Sequence, residues 1–407
     1  MRGLAIVRRR RWRVATMAGV VIAVVGLAGC GGDRSASAGV DGRAAESFQD
    51  VPGAPFGVVA ARDGRYVFVD LVVHPFGGTP GGGVFVYSVT GFVPRLIRTI
   101  RVPGEAVGCS LTRDGRLLLV ANAQGATVVS VARAERGAPH PVLGTLSPPP
   151  SAHLRAAGAI ETASSANGRY VFVSLEDGTP GGVIAVYDLG SAPAPRFGPG
   201  DYVGAITLGS AVVGSALSPD GRYLYVTSEV GGPAHAGSLG ALGQDGTLSV
   251  ISVVAAEHDP ARAVLATVPA LRQPVRVAVS PDGSVAWVTA RASDRLLGFS
   301  TARLLSDPAR ALLADVKVGT APVGVAVFDH GDRVIVADSN RFNGPGAHAA
   351  LTIVNTRAAL THQPAVLATL RAGQFPRELA VERDDTVVLV SNFASDQLEA
   401  VNVSRLR

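Results

Sequence analysis

Cysteine is almost absent from this chain: Cys30 and Cys109 are the only two among 407 residues. No framework of disulfides can hold it together. There is no CxxC or HExxH run for zinc and no CxxCH for haem attachment, and the eight histidines are scattered, so neither a metal site nor a cofactor is expected. Charge is also scarce, at 17% of residues, and Lys317 is the single lysine against a background of arginine. The net charge of +5 does not point to a nucleic-acid partner. Arg2, Arg8, Arg9, Arg10, Arg11 and Arg13 all fall at the extreme N-terminus, and without these six charges the net is −1. A near-neutral body offers no positive field for collecting phosphates. What the chain does have is apolar residues, 47% of the total, enough for a substantial core.

The arginine-rich start is followed by Val14–Gly29, sixteen residues without a charge, and then by Leu27-Ala28-Gly29-Cys30. This is the order of a signal peptide. Sixteen helical residues reach about 24 Å, short of the roughly 30 Å hydrocarbon core, so a spanning helix fits less well. Small residues ahead of Cys30 resemble a bacterial lipobox, which implies cleavage before the cysteine and a diacylglycerol on its thiol. The expectation is export, with Cys30 as the lipidated N-terminus and the membrane as an anchoring partner on the extracytoplasmic side. An uncleaved anchor is the plain alternative. Residues 1–29 then form the signal peptide. Residues 30–43, glycine-rich and small, form a flexible tether, and 44–407 the folded part. Cys109, in an apolar stretch, reads as a small buried hydrophobe.

Internal repetition determines the architecture of that part. An apolar run, an Asp-Gly-like turn and a β-rich run recur as VVAARDGRYVFVD, CSLTRDGRLLLVAN, TASSANGRYVFVS, SALSPDGRYLYVT, VAVSPDGSVAWVT, VAVFDHGDRVIVA and LAVERDDTVVLVS. Seven copies stand 51, 53, 53, 62, 48 and 54 residues apart. Each reads as a hairpin with a two-residue turn. A third strand follows, as in VIAVYDL and TLSVISV, and a fourth, as in AVLATV and AVLATL. Four strands per repeat and seven repeats predict an all-β, seven-bladed β-propeller.

SPDGRYLYVT and PVGVAV resemble the YVTN-type repeat, a family of seven-bladed propellers that includes lactonase-like members and secreted binding proteins. The resemblance spans Ala44 to Val403 and implies fold more than activity. The last repeat lacks a fourth strand. Ala45–Val51, AESFQDV, is the one unassigned β-capable segment, and it is expected to close the last blade and remove an open sheet edge. Frayed termini are the bland alternative.

Superposed on their turns, the repeats show one column of special composition, seven residues before each turn glycine or its equivalent: Gly57, Gly108, Glu161, Gly214, Arg276, Gly324 and Glu378. At the start of the innermost strand it should ring one mouth of the central channel, the glycines leaving space and the charges pointing inward. Arg377 adds a second cation. The alternative is that Glu161, Arg276 and Glu378 pair as a solvated plug. Long loops between second and third strands rim the same mouth, with His74, Glu176, His235, Asp338, Asn340, Arg341 and His348 as polar candidates for a ligand surface. GTPGG occurs twice but leads into no helix, so it is not a phosphate loop. Two functions remain open. One is a tethered, non-catalytic propeller binding an envelope component, peptide or protein; the other is a lactonase-like hydrolase using the central Glu and Arg residues. The resemblance weakens the second, since propeller lactonases use histidine near the channel and the column has none. Convergence of Glu161 and Glu378 on an open pocket would favour hydrolysis; Arg276 between them would favour binding at the rim.

Overall fold

The structure, a computed structural model, describes residues 45–72, 82–90, 93–122, 125–154, 158–176, 181–190, 197–231, 245–342, 348–382 and 384–406. They form seven antiparallel four-stranded sheets. The first is β2 (Pro55–Ala60), β3 (Tyr66–Leu71), β4 (Gly82–Thr90) and β5 (Val93–Val102); the second β6 (Cys109–Leu111), β7 (Leu117–Asn122), β8 (Gly125–Ser130) and β9 (Val142–Leu146). The third is β10 (Ala159–Ser164), β11 (Tyr170–Leu175), β12 (Val183–Asp188) and β13 (Tyr202–Thr207); the fourth β14 (Ser210–Leu217), β15 (Tyr223–Val230), β16 (Thr247–Ser252) and β17 (Val264–Pro269). The fifth is β18 (Pro274–Val279), β19 (Val285–Ala290), β20 (Arg295–Ser300) and β21 (Leu312–Lys317); the sixth β22 (Pro322–Phe328), β23 (Arg333–Asp338), β24 (Ala350–Asn355) and β25 (Val366–Arg371). The seventh runs β26 (Pro376–Val381), β27 (Val387–Asn392), β28 (Gln397–Asn402) and then β1 (Ala45–Asp50). First strands of successive sheets lie side by side around a ring, with β26 against β2. The protein is a seven-bladed β-propeller.

The N-terminal strand closes it as the repeat pattern requires. β1 pairs antiparallel with β28 from Ala45–Asn402 to Asp50–Gln397. This supplies the fourth strand that the last repeat lacks and satisfies an edge that would otherwise be exposed.

Burial explains why the second and third strands read as near-continuous apolar runs instead of alternating. Each blade has a neighbour on both faces, so VFVD, LLVA and VFVS bury every side chain. Seven apolar clusters fill the seven interfaces between blades. In one, Leu119, Val128 and Leu146 of the second blade meet Val171, Val173 and Tyr187 of the third; in another, Leu389, Leu398 and Ala400 of the last meet Val67, Val69 and Phe85 of the first. The core is therefore a ring of interfaces.

Two local features differ from the sequence reading. The hairpins do not turn on two residues. In the fourth blade Ser218 pairs with Tyr223 across the four residues Pro219–Arg222, and Gly221 N–H donates to Ser218 O at 2.8 Å. Only the glycine is left-handed, with φ 75°. Asp220 instead accepts from Arg222 N at 3.0 Å and from the Ser218 hydroxyl at 2.5 Å, so its carboxylate does the work that a primed turn would do with backbone torsion. The all-β reading also omits four short helices between third and fourth strands: α1 (Val131–Arg136), α2 (Val253–His258), α3 (Thr301–Ser306) and α4 (Thr356–Leu360). Each is started by the last residue of the preceding strand, since Ser130, Ser252, Ser300 and Asn355 accept a hydrogen bond from the first turn.

Candidate functional site

The innermost strands are held by a repeated device. In six blades the pairing of first and second strands slips just after the first strand begins, and in all of these but the third, where Glu161 pairs with Ser174, the column residue is left without a ladder partner. A side chain thirteen residues on supplies one. Glu161, Gly214, Arg276 and Glu378 donate their backbone N–H to the hydroxyls of Ser174, Thr227, Thr289 and Ser391 at 2.9, 3.0, 3.2 and 3.0 Å. The same hydroxyls reach into the next blade. Thr227 donates to Val275 O at 2.8 Å, Thr289 to Val323 O at 2.6 Å, and Ser391 to Phe56 O at 2.9 Å, the last joining the final blade to the first. The signal was present in the sequence as the Ser or Thr that ends YVFVS, YLYVT, AWVT and VVLVS.

Asp70 takes this position in the first blade. Fully buried, it accepts from Gly57 N at 3.0 Å and from Gly108 N of the next blade at 3.1 Å. Burial raises its carboxyl, although hydrogen bonds from the Cys109 thiol and the two glycine N–H groups oppose the shift. The Cys109 thiol is in turn raised by burial and by Asp70. A side chain at Gly57 would collide with the Asp70 carboxylate. At Gly108, Gly214 and Gly324 it would collide with the backbone carbonyls of Ile160, Val275 and Arg377 in the next blade. The glycines of the column therefore admit close approach between blades, and do not clear room for a ligand as the sequence reading expects.

The three charged members, in the third, fifth and seventh blades, meet across the channel. Arg276 Nε donates to Glu378 Oε1 at 2.5 Å, its Nη2 also contacts that oxygen, and Nε lies 3.7 Å from Glu161 Oε2. Glu161 Oε2 also accepts from Ser215 N at 3.1 Å. The Arg276 side chain is 5% exposed and those of Glu161 and Glu378 are 21% and 20%, so this is a buried cluster and not the solvated plug of the sequence reading. Burial pushes the Glu161 carboxyl up to about 8; Arg276 opposes the shift and Glu378 adds to it. Burial works against the charge of Arg276, but the carboxylates of Glu378 and Glu161 outweigh it and hold the guanidinium above its ordinary value. Arg276 thus occupies the space between the carboxylates that a substrate and water would need.

Above this cluster, where the first strands begin, lies a second one. The Arg377 guanidinium stacks 3.5 Å from the Phe56 ring centre, with Phe375 and Phe393 at 5.5 and 5.7 Å. Phe393 meets Phe56 and Phe375 edge-on at 6.3 and 5.4 Å. Arg341 approaches the other side of this group, 5.5 Å from Phe375 and 6.0 Å from Phe342. Burial lowers Arg377 to about 9, and Arg276 lowers it further while Glu378 opposes. Arg341 is lowered by burial and then by Arg291. Arg291 itself is matched, bonding Glu229 at 2.6 Å and Gln273 at 3.2 Å. The sequence reading missed Glu229, Arg291 and Phe393. They could have been found in the position two residues beyond the hydroxyl column, which holds Glu176, Glu229, Arg291 and Phe393.

The remaining rim candidates divide. Glu176 and Asn340 are partly exposed near this mouth, and His348 is exposed. Asp338 is not a rim residue: it is fully buried at the end of β23, its Oδ2 accepting from the Thr352 hydroxyl at 2.5 Å. Burial pushes it up to about 7, against the bonds from Thr352 and the Gly319 backbone. The second strand of that blade ends one residue later than the loop reading assumed, which draws Asp338 inside. Cys30, His74 and His235 lie outside the described residues. Among the described residues no group of three or more His, Cys, Asp or Glu side chains is arranged to hold a metal ion.

Known proteins add the fold and little more. No protein-family model matches the sequence, and no curated protein matches it. Solved structures do match in shape. Hydrazine synthase of Kuenenia stuttgartiensis is similar with a TM-score of 0.63 at 15% identity, over 88% of this chain and 97% of that one. The Cps50 (Swd1) β-propeller domain of Myceliophteria thermophila is similar with a TM-score of 0.60 at 14% identity, over 88% of this chain and 100% of that one. The likeness is one of fold alone.

Proposed function

We propose that this chain is an exported, lipid-anchored propeller of the YVTN-like kind that binds an envelope component, peptide or protein at the mouth where its first strands begin, without catalysis. The observation that carries this reading is Arg276. It pairs with both Glu161 and Glu378, so neither carboxylate is free to position water against a lactone carbonyl. The partly exposed groups above it, Arg341, Arg377 and Phe375, are groups that recognise without reacting. Export and anchoring rest on the leader and Cys30.

The test uses the full-length protein. It should retain a component from envelope fractions and turn over none of a panel of lactones. Arg341→Met should weaken retention, while Arg65→Ala and Arg222→Ala beside the opposite hairpin turns should not. Turnover of a lactone that is abolished by Glu378→Gln would favour the hydrolase. For the anchor, Cys30→Ser should lose metabolic fatty-acid label, because a hydroxyl cannot form the thioether; label that persists would refute lipidation at Cys30.

A further inference from the structure

Two of the four guanidiniums at the channel mouth have no carboxylate in contact. Arg276 is matched by Glu378 and Glu161, and Arg291 by Glu229. Arg341 and Arg377 are not: among the described residues neither guanidinium makes an ion pair or hydrogen bond, Nε of Arg377 is buried without a partner, and only the more distant charges of Glu378 on Arg377 and of Glu229 and Glu176 on Arg341 oppose theirs. Both sit 5.5 Å from the Phe375 ring, on which they converge. Each contributes to the positive potential felt by the other, and Arg291 adds to both. Two half-buried guanidiniums with no contacting carboxylate are costly in isolation, and the flat, forked donor edge of arginine is complementary to an oxyanion. Beside them stands an apolar wall. Phe375, partly exposed, lies at the mouth on the buried rings of Phe56 and Phe393 with Val107 and Ile160, and the buried Val213, Val275 and Val323 pack against it around the channel. Phe375 is held at φ 54°, a conformation that bulky residues avoid; Ala211, Gln273 and Ala321 take it at the same point of other blades, so the turn imposes the geometry and the side chain is what distinguishes this blade.

Resting on the proposed reading of this mouth as a ligand surface, we infer that Arg341 and Arg377 form a subsite for the oxyanion of an amphipathic ligand, a carboxylate or a phosphate, whose apolar part lies on the partly exposed Phe375, backed by the buried rings of Phe56 and Phe393. The aromatic wall explains why a bare ion would not suffice: apolar contact contributes about 25 cal/mol per Å² removed from water, and without it a small anion would have to leave bulk water for the guanidiniums alone. The wall also accounts for the stacking of Arg377 on Phe56, which fixes the guanidinium plane ahead of binding and lowers the entropy lost on forming the contact.

Calorimetric titration of the full-length protein in a non-ionic detergent tests this with four probes: phenyl phosphate, 3-phenylpropionate, inorganic phosphate and the neutral 3-phenylpropanol. Phenyl phosphate or 3-phenylpropionate should bind at least ten-fold more tightly than 3-phenylpropanol and than inorganic phosphate. The tighter of the two aromatic anions identifies the headgroup. Arg377→Met and, separately, Arg341→Met should remove that preference with an unchanged melting temperature, and Arg222→Ala should keep it. Equal binding of the alcohol and the aromatic anions would overturn the oxyanion subsite, as would a preference that survives in both Met variants. Inorganic phosphate binding as tightly as phenyl phosphate would overturn the apolar part. If envelope material is retained by the wild type but no aromatic anion binds, the subsite fails and the ligand surface stands. If the aromatic anions bind through Arg377 but nothing is retained from the envelope, the subsite stands and the wider reading fails.

Discussion

At the scale of single residues, the hydroxyls at the ends of the second strands matter more than their size suggests. Thr227 accepts the Gly214 N–H and donates to Val275 O in the next blade, so Thr227→Val keeps the shape and orphans two buried backbone groups. Leaving such groups unpaired costs about 1–3 kcal/mol, and urea unfolding should show a loss of that order. Ala121 and Ala337 stand at the equivalent positions of two other blades, so Ala121→Val should lack this penalty. Glu161 gives a second prediction with a definite sign. Its carboxyl ionises at about 8 in the fold against an ordinary 4.5, so the folded state holds a proton that the unfolded state has released. Its contribution to stability is fully present below about pH 4.5 and declines as pH rises to about 8. Glu161→Gln, which mimics the protonated acid, should leave the melting temperature unchanged at pH 5 and raise it at pH 8.5. A variant that destabilises equally at both pH values would show that the carboxylate is charged throughout.

At the scale of elements, the seam between β1 and β28 decides whether the ring stays closed. Deleting Ala45–Asp50 removes a full set of ladder bonds and uncovers β28, whereas deleting residues 31–43, which the sequence reads as a flexible tether, leaves that ladder in place. The first should lower the melting temperature by many degrees and the second hardly at all; equal values would refute closure by this strand. The seam also carries buried acids. Glu399 on β28 accepts from Asn392 at 2.7 Å and from Gly373 N at 3.2 Å. Burial drives it up to about 8, with Glu46 of β1 adding to the shift, while Asn392 and Gly373 oppose it. Glu46 is itself raised by burial, against the pull of Arg371. By the same reasoning the seam is firmest in mild acid and weakens between about pH 4.5 and 8. Glu399→Gln should flatten that decline, seen as slower hydrogen exchange of the β1 amides at pH 8.

At the scale of the whole molecule, the two faces of the propeller carry different chemistry. The hairpin face is built of turns whose charges are exposed and matched locally, as Arg65 is by Asp63 at 2.7 Å. The opposite face concentrates Arg341, Arg377 and the phenylalanines around a channel closed by Arg276. Surface ion pairs of the first kind contribute about 0–1 kcal/mol, so Arg65→Ala should be silent. Arg276→Met leaves Glu378 without its cation in a buried setting beside Glu161 and should cost roughly 3 kcal/mol, readable as a lower urea midpoint; a silent Arg276→Met would return the cluster to the status of solvated surface charge.

The sequence by itself determined the strands, the count of seven and the closing role of Ala45–Val51, because each blade is specified by a short apolar run, a turn and another run, all local in the chain. It also exposed the column containing Glu161, Arg276 and Glu378. Only the tertiary structure decided what that column does. Arg276 and Glu378 are 102 residues apart and belong to blades that do not touch in the sheet order; they meet because ring closure brings alternate blades to a common axis, a relation that no periodicity along the chain encodes. Asp338 went inside because its strand runs one residue further and Thr352 of the same blade meets it. Whether a side chain at a given turn of the repeat meets solvent, a carbonyl or another charge depends on the neighbouring blade, and the neighbour of the last blade is the first.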